Sequence, residues 1–357
     1  MASRRSSGGS RAFALIIAGG SGTRFWPASR RKHPKPLFSI DGKSTLIEDT
    51  VRRLQPLIPA ARTFVLVAAD HQAPFKRALA GVIPARNVLV EPAARGTSVA
   101  IAYGVEVIRR RMGDGVVAAM WADHYIKPET GFRRTMAAAI GLARTHHSIV
   151  VVGVTPTRPE TGYGYQQIGA KVGPGFRVAK FIEKPGAAKA ARMVKSGKYL
   201  WNAGMFVMST RTLDAELAAH APALGRAASR LAALPPKRFA REYGKLNFES
   251  FDRVIVERSA NVLGVRAQFA WHDVGSWLGL WEAIGGTNSN VLRGNVVALE
   301  SDRVLAHSDQ RLMALLGVRD LVVVDTGDAI LIAHRDRSHD VRGIIDELRR
   351  RGMHSYL

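Results

Sequence analysis

No cysteine occurs in the 357 residues, which removes thiol nucleophiles, disulfides and thiolate metal sites together. Neither His146-His147 nor any other pair among the eleven histidines has ligand spacing for zinc. No apolar run approaches the length of a bilayer span, so neither a transmembrane helix nor a membrane partner is expected. Acidic residues are scarce, 29 against 52 lysines and arginines, and the formal net charge is +23. The lack of cysteine agrees with a cytoplasmic protein. What remains is a chain 46% hydrophobic, long enough to bury a substantial core and to divide into one large and one small unit.

An excess of positive charge is the electrostatic footprint of nucleic-acid binding. Here the bases are dispersed in short runs, Arg30-Arg31-Lys32, Arg109-Arg110-Arg111 and Arg349-Arg350-Arg351, without a helix-turn-helix, RRM or KH signature. The second run closes a predicted helix, where cations complement the macrodipole. Compositional bias is therefore the preferred explanation and no specific nucleic-acid partner is expected. A basic nucleic-acid-binding or regulatory protein is the rival from another class. Residues 1–11 are basic and serine-rich and are expected to form a disordered tail. Ala12 to Ala18 imitates a short signal h-region, but cleavage after it would destroy the loop that follows, which argues against export.

That loop is the most informative stretch. An apolar run, Ala14 to Ala18, empties into Gly19-Gly20-Ser21-Gly22-Thr23-Arg24, then Trp26-Pro27 and Pro34-Lys35-Pro36. Glycines let backbone N–H groups approach an anion that a Cβ would hold away, and Arg24 and Lys35 add two positive charges. Prolines at 27, 34 and 36 stiffen the loop. A polyphosphate is the ligand this combination suits. The dinucleotide fingerprint fails, because its third glycine position is Phe25, and a Walker A loop at Gly42-Lys43-Ser44-Thr45 lacks its first glycine, which is Leu37. Ser44 or Thr45 is instead expected to cap a helix, with Glu48 completing a capping box.

Strands and helices then alternate to Val154, which predicts a mostly parallel sheet covered on both faces, with ligands at the carboxyl ends of its strands. Leu213 to Leu234 is expected to be helical up to Pro235-Pro236. After Gly285-Gly286-Thr287-Asn288 five short apolar strands are expected, Asn295–Leu299, Arg303–Ala306, Leu312–Leu316, Leu321–Val324 and Ala329–Ala333, followed by a helix near Val341 to Arg350. The expected units are 12–286 and a small β-rich 287–357.

The stretch Gly-Gly-Ser-Gly-Thr-Arg-Phe-Trp-Pro-Ala-Ser-Arg with Pro34-Lys35 resembles the signature of the sugar-nucleotide pyrophosphorylases, and the Trp-Pro pair favours their mannose branch. The resemblance runs from Phe13 to about Arg351. It implies a Rossmann-like nucleotidyltransferase domain, a small left-handed β-helix-like domain, and transfer of GMP from GTP to α-D-mannose 1-phosphate. A homodimer is a further expectation. Some bacterial relatives continue into an isomerase domain, whereas this sequence ends at Leu357, and a single activity is expected.

Joining a nucleotide to a sugar phosphate brings anions together, so positioning and charge neutralisation dominate, and magnesium needs only one or two carboxylates beside substrate phosphates. Asp123 in Trp-Ala-Asp-His, directly after a strand, and Asp273 in Trp-His-Asp-Val-Gly-Ser-Trp are the candidates. Either alone could cap a turn; the resemblance assigns both to Mg2+ or another divalent cation. It also assigns Arg24 and Lys35 to catalysis, Gly19, Gly20, Ser21, Gly22, Thr23, Glu91, Arg95 and Thr97 to the nucleotide, and Gly162, Glu183, Lys184 and Asn202 to the sugar phosphate. A pyrophosphorylase for another sugar 1-phosphate or another nucleotide is the nearest alternative.

Overall fold

The computed structural model describes residues 11–20, 22–40, 42–284 and 289–357. Strand β1 (Ala12–Ala18) is buried along its whole length, as a strand covered on both faces must be. Thr45 caps α1 (Leu46–Leu54): its hydroxyl accepts from the Glu48 amide while the Glu48 carboxylate accepts from the Thr45 amide, so Gly42-Lys43-Ser44-Thr45 leads into a helix start. The alternation continues through β2 (Thr63–Ala68), α2 (Gln72–Ala78), β3 (Val88–Glu91), α3 (Thr97–Met112), β4 (Val116–Trp121), β5 (Tyr125–Lys127), α4 (Glu129–His146) and β6 (Ile149–Val154). A hairpin of β7 (Tyr165–Val172) and β8 (Gly175–Ile182) precedes α5 (Ala187–Ser196) and β9 (Tyr199–Ser209). Helices α6 (Thr210–His220), α7 (Pro222–Leu231) and α8 (Pro236–Gly244), strands β10 (Val262–Arg266) and β11 (Ala270–His272), and α9 (Trp277–Ile284) complete the larger unit.

Nine strands form one sheet in the order β3-β2-β1-β4-β9-β6-β10-β8-β7. The first four are mutually parallel, and β9 enters antiparallel between β4 and β6. Alternate β1 residues feed opposite faces: Ala14 and Ile16 join the core under α1 and α4, while Phe13, Leu15 and Ile17 join the one under α3 and α7. The expected single helix from Leu213 is two helices. Ala221 leaves the helical region at φ −150° because Pro222, which cannot donate an N–H, opens the next one.

The C-terminal unit contains β12 (Val291–Leu299), β13 (Asp302–Leu316), β14 (Arg319–Asp325), β15 (Ile330–His334) and α10 (Val341–Arg350). Its first three strands stack in parallel, with Val291, Leu305 and Val322 in register and buried, as successive coils of a β-helix-like unit. The five expected strands are four, since Arg303–Ala306 and Leu312–Leu316 are two stretches of β13, joined across a shift in its pairing with β12. Residues 1–10 of the expected tail and the turn at 285–288 lie outside the described residues. Phe25 and Trp26 of the glycine loop share one apolar core with Trp277, Trp281, Leu305, Val322, Val341 and Ile345. Trp26 Nε1 donates to the Tyr356 carbonyl at 2.7 Å, and Trp277 Nε1 donates to the Trp26 carbonyl at 3.1 Å. The C-terminal unit is thus a buttress for the loop. Among the described residues no helix is long and apolar enough to cross a membrane.

Candidate active site

A cavity of about 450 Å³ opens at the carboxyl ends of β1, β3 and β4. Gly19, Gly20, Arg24, Lys35, Glu91, Arg95, Thr97, Asp123 and Asp273 all line it, so residues spread over most of the chain converge on one space. Gly22 makes the loop possible: its φ is +56°, and a Cβ there would stand 2.5 Å from Lys35 Cβ. Ser21 lies outside the described residues, as does the side chain of Thr23, whose backbone belongs to a short 3-10 turn.

Lys35 joins the two aspartate loops. Its buried ammonium donates to Asp123 Oδ2 at 2.8 Å and to the Asp273 carbonyl at 2.8 Å, and lies 5.3 Å from the Phe25 ring centre. Burial alone would raise the Asp123 carboxyl, but the Lys35 charge and hydrogen bond, with a smaller contribution from His124, hold it below the usual range. Burial pushes the neighbouring His124 down to about 4, so the ring is neutral near pH 7, and Trp271 Nε1 donates to its Nδ1 at 3.2 Å. Asp273 Oδ1 accepts from the Gly275 amide at 3.1 Å, so this residue does cap a turn while facing the cavity. Arg24 is exposed, with Nη1 3.5 Å from where a Cβ on Gly275 would stand.

On the other wall Glu91 is buried and accepts from the Tyr243 hydroxyl at 2.9 Å; burial raises its carboxyl and that bond pulls it back. Arg95 donates through Nε to the Gly244 carbonyl at 2.7 Å. Thr97 opens α3 and accepts from the Phe251 amide at 2.9 Å.

A second cavity of about 290 Å³ is lined by Tyr163, Trp201 and Trp271 and shares Asp273 with the first. The four residues expected on the sugar side divide. Glu183 and Asn202 come together across Gly164, where a Cβ would stand 2.7 Å from Glu183 Oε2 and 3.4 Å from Asn202 Cβ. Gly162, by contrast, is exposed and donates its amide to Glu160 Oε1 at 3.0 Å. Lys184 is half exposed and pairs with Glu183 at 3.2 Å. The closeness of Gly164 had a visible signal in the alternating glycines of Gly162-Tyr163-Gly164, but nothing local told the two apart.

A parallel half-sheet ending in a glycine loop, with a lysine bridging two aspartate loops, defines a nucleotidyltransferase architecture. The Nucleotidyl transferase family model matches residues 13–290, and the MannoseP isomerase/GMP-like beta-helix domain model matches residues 294–348. A mannose-1-phosphate guanylyltransferase of Salmonella muenchen is 33% identical over 346 residues, covering 94% of this chain and 73% of that protein. One from Escherichia coli K12 is 32% identical, covering 97% and 75%. The crystal structure of a Thermus thermophilus protein described as a mannose-1-phosphate geranyltransferase superposes with a TM-score of 0.86 at 32% identity, covering 95% of this chain and 99% of that one. The chain belongs to the mannose-1-phosphate guanylyltransferase family of nucleotidyltransferases.

Proposed function

We propose that the protein transfers GMP from GTP to α-D-mannose 1-phosphate, releasing GDP-mannose and pyrophosphate. The observation that carries this reading is Lys35, whose ammonium links the Asp123 carboxylate and the Asp273 backbone at the mouth of the glycine loop. An oxygen of the sugar phosphate attacks the α-phosphorus. The bond from that phosphorus to the oxygen bridging it to the β-phosphate breaks, and its electron pair leaves with pyrophosphate. The loop amides and Arg24 hold the triphosphate and neutralise charge moving toward the leaving group, and Lys35 keeps both aspartate loops in register. Asp123 and Asp273 face one cavity and would hold a magnesium ion there, which needs only one or two carboxylates beside substrate phosphates. When bound there, the cation supplies charge neutralisation between the reacting phosphates. Glu91, Arg95 and Thr97 are assigned to the nucleotide side and Glu183, Lys184, Asn202 and Gly164 to the sugar side.

The division into a catalytic unit, 12–286, and a buttressing unit, 287–357, belongs to the same proposal, as does a cytoplasmic location. A homodimer is proposed through an exposed apolar face of the buttress. Val297 and Leu299 pair with Ala314 and Leu316, and Leu299 and Leu316 are 62% and 71% exposed. Sedimentation of the wild type against Leu316→Lys tests it, with dimer expected for the first and monomer for the second. The function itself is tested by pyrophosphate release across GTP, ATP, UTP and dTTP with mannose and glucose 1-phosphates. GTP with mannose 1-phosphate is expected to be the best pair by a wide margin. Preference for another pair would reassign the substrates.

A further inference from the structure

The segment between α8 and β10 carries no motif, yet it touches both halves of the cleft. It contains a π-helical turn, Asp252–Val256, closed by donation from the Glu257 amide to the Asp252 carbonyl at 2.7 Å. Such turns are rare in proteins and concentrate at functional sites. Each end of this one holds a residue of the sugar side. Asp252, buried, accepts through Oδ1 from Asn202 Nδ2 at 2.8 Å. Glu257 accepts through Oε1 from the Glu183 amide at 3.2 Å.

Asn202 is consequently fixed at both ends of its carboxamide. The Gly204 amide, always a donor, is received by Oδ1 at 3.2 Å, and Nδ2 faces Asp252, which when ionised can only accept. Just upstream, the same segment holds the start of α3 by different contacts: the Phe251 amide on Thr97 Oγ1 at 2.9 Å, and Ser98 Oγ on the Glu249 carbonyl at 2.6 Å. Gly96 is pressed so close that a Cβ would stand 2.0 Å from the Phe248 carbonyl oxygen. The Asp252 side chain takes no part in those contacts.

A carboxylate is a costly group to keep there. Burial and then the charge of Glu183 push the Asp252 carboxyl up to about 7, against the opposing pull of Lys184 and the Asn202 bond. A neutral side chain would be easier to bury. Stability therefore gives no reason for an acid at this position, whereas the orientation of Asn202 does.

We infer that Asp252 and Glu257 are positioning residues for the sugar-phosphate half of the reaction. Asp252 sets the carboxamide of Asn202, Glu257 holds the backbone of Glu183, and together they present two polar side chains to the hydroxyls of a hexose 1-phosphate. They set selectivity between stereoisomers without meeting the reacting atoms. The inference rests on the proposed transfer to a sugar 1-phosphate.

The test uses the full chain and reads kcat and both KM values by pyrophosphate release, with mannose and glucose 1-phosphates as acceptors and thermal midpoints in parallel. Asp252→Leu is expected to raise KM for mannose 1-phosphate about tenfold to a hundredfold, leave KM for GTP within about twofold, and lower the preference for mannose over glucose. Asp252→Asn keeps an accepting oxygen and is expected to restore most of the wild-type KM. At the exposed Glu257, alanine is expected to raise the same KM and glutamine to preserve it; this pair decides the matter if Asp252→Leu does not fold. An unchanged sugar KM in a folded variant, or equal losses for GTP and sugar, would overturn the inference. An active wild type whose variants keep their KM values refutes the positioning role alone. A wild type that turns over no hexose 1-phosphate removes the proposed function and the inference with it.

Discussion

The two walls of the cleft are held in different ways. The phosphate loop of the wall proposed for the nucleotide rests on glycines at the end of a buried parallel strand, stiffened from behind by an aromatic core that the loop shares with the C-terminal unit. The wall proposed for the sugar rests on individual side-chain bonds from a remote segment, Asp252 to Asn202 and Glu257 to Glu183. Packing and backbone geometry suit a ligand whose recognised part is a repeating phosphate. Oriented polar side chains suit one that must be told from its epimers, because a buried group left without its hydroxyl partner penalises the wrong isomer. The difference teaches where selectivity and turnover should separate under mutation.

The largest expected effect lies where the walls meet. Asp123→Asn and Asp273→Asn should each lower kcat by about a thousandfold or more with circular dichroism unchanged, and the double variant should be little worse than either, since groups acting as a unit are not additive. Multiplicative losses with unchanged magnesium dependence would mark them as two turn caps. Arg24→Ala should lower kcat by about a hundredfold while GTP affinity measured by calorimetry changes little, the signature of charge stabilised in the transition state.

Smaller effects sharpen the contrast between the walls. Trp277→Ala removes a fully buried indole from the shared core and should cost about 3–5 kcal/mol in urea unfolding. Because that core backs the loop, KM for GTP should rise while the preference for mannose over glucose 1-phosphate stays. A lost preference with intact GTP binding would erase the distinction. The wall proposed for the sugar carries a pH dependence. Asp252 ionises near its ordinary value of 3.8 in the unfolded chain and at about 7 when folded, so the folded state gains from its proton at low pH and loses that gain as pH rises between those values. Asp252→Asn has no such loss. Its stability relative to wild type should therefore climb from about pH 4 to about pH 7 and level off above, as read from urea midpoints.

Much of the nucleotide wall was legible in the sequence because its signals are local. Strands and helices alternate to Val154 as expected, helix α10 falls on its expected residues, and Thr45 with Glu48 forms the capping box that separates Gly42-Lys43-Ser44-Thr45 from a Walker loop. Asp123 and Asp273, 150 positions apart, stand on one cavity, a pairing that came from the family resemblance, since either alone read equally well as a turn cap. The sugar wall was less legible. Gly162 and Gly164 look alike in sequence and only the approach of Glu183 and Asn202 distinguishes them. Asp252 and Glu257 sit in a stretch that carries no motif, and their partners are 50 and 74 residues away. Long-range polar pairing leaves no periodic trace. The same holds for the core that unites Trp26, Trp277 and the β-helix-like coils, where each residue reads as an ordinary buried hydrophobe until the chain is folded.

The proposed reaction is a single direct displacement assembled from positioned charges, with no covalent enzyme intermediate. The stereochemistry at the α-phosphorus tests it most directly, using GTP chirally labelled with sulfur at that position and mannose 1-phosphate as acceptor. A single displacement gives inversion in the GDP-mannose formed. Retention would demand two displacements and a nucleophile on the protein, and would contradict it.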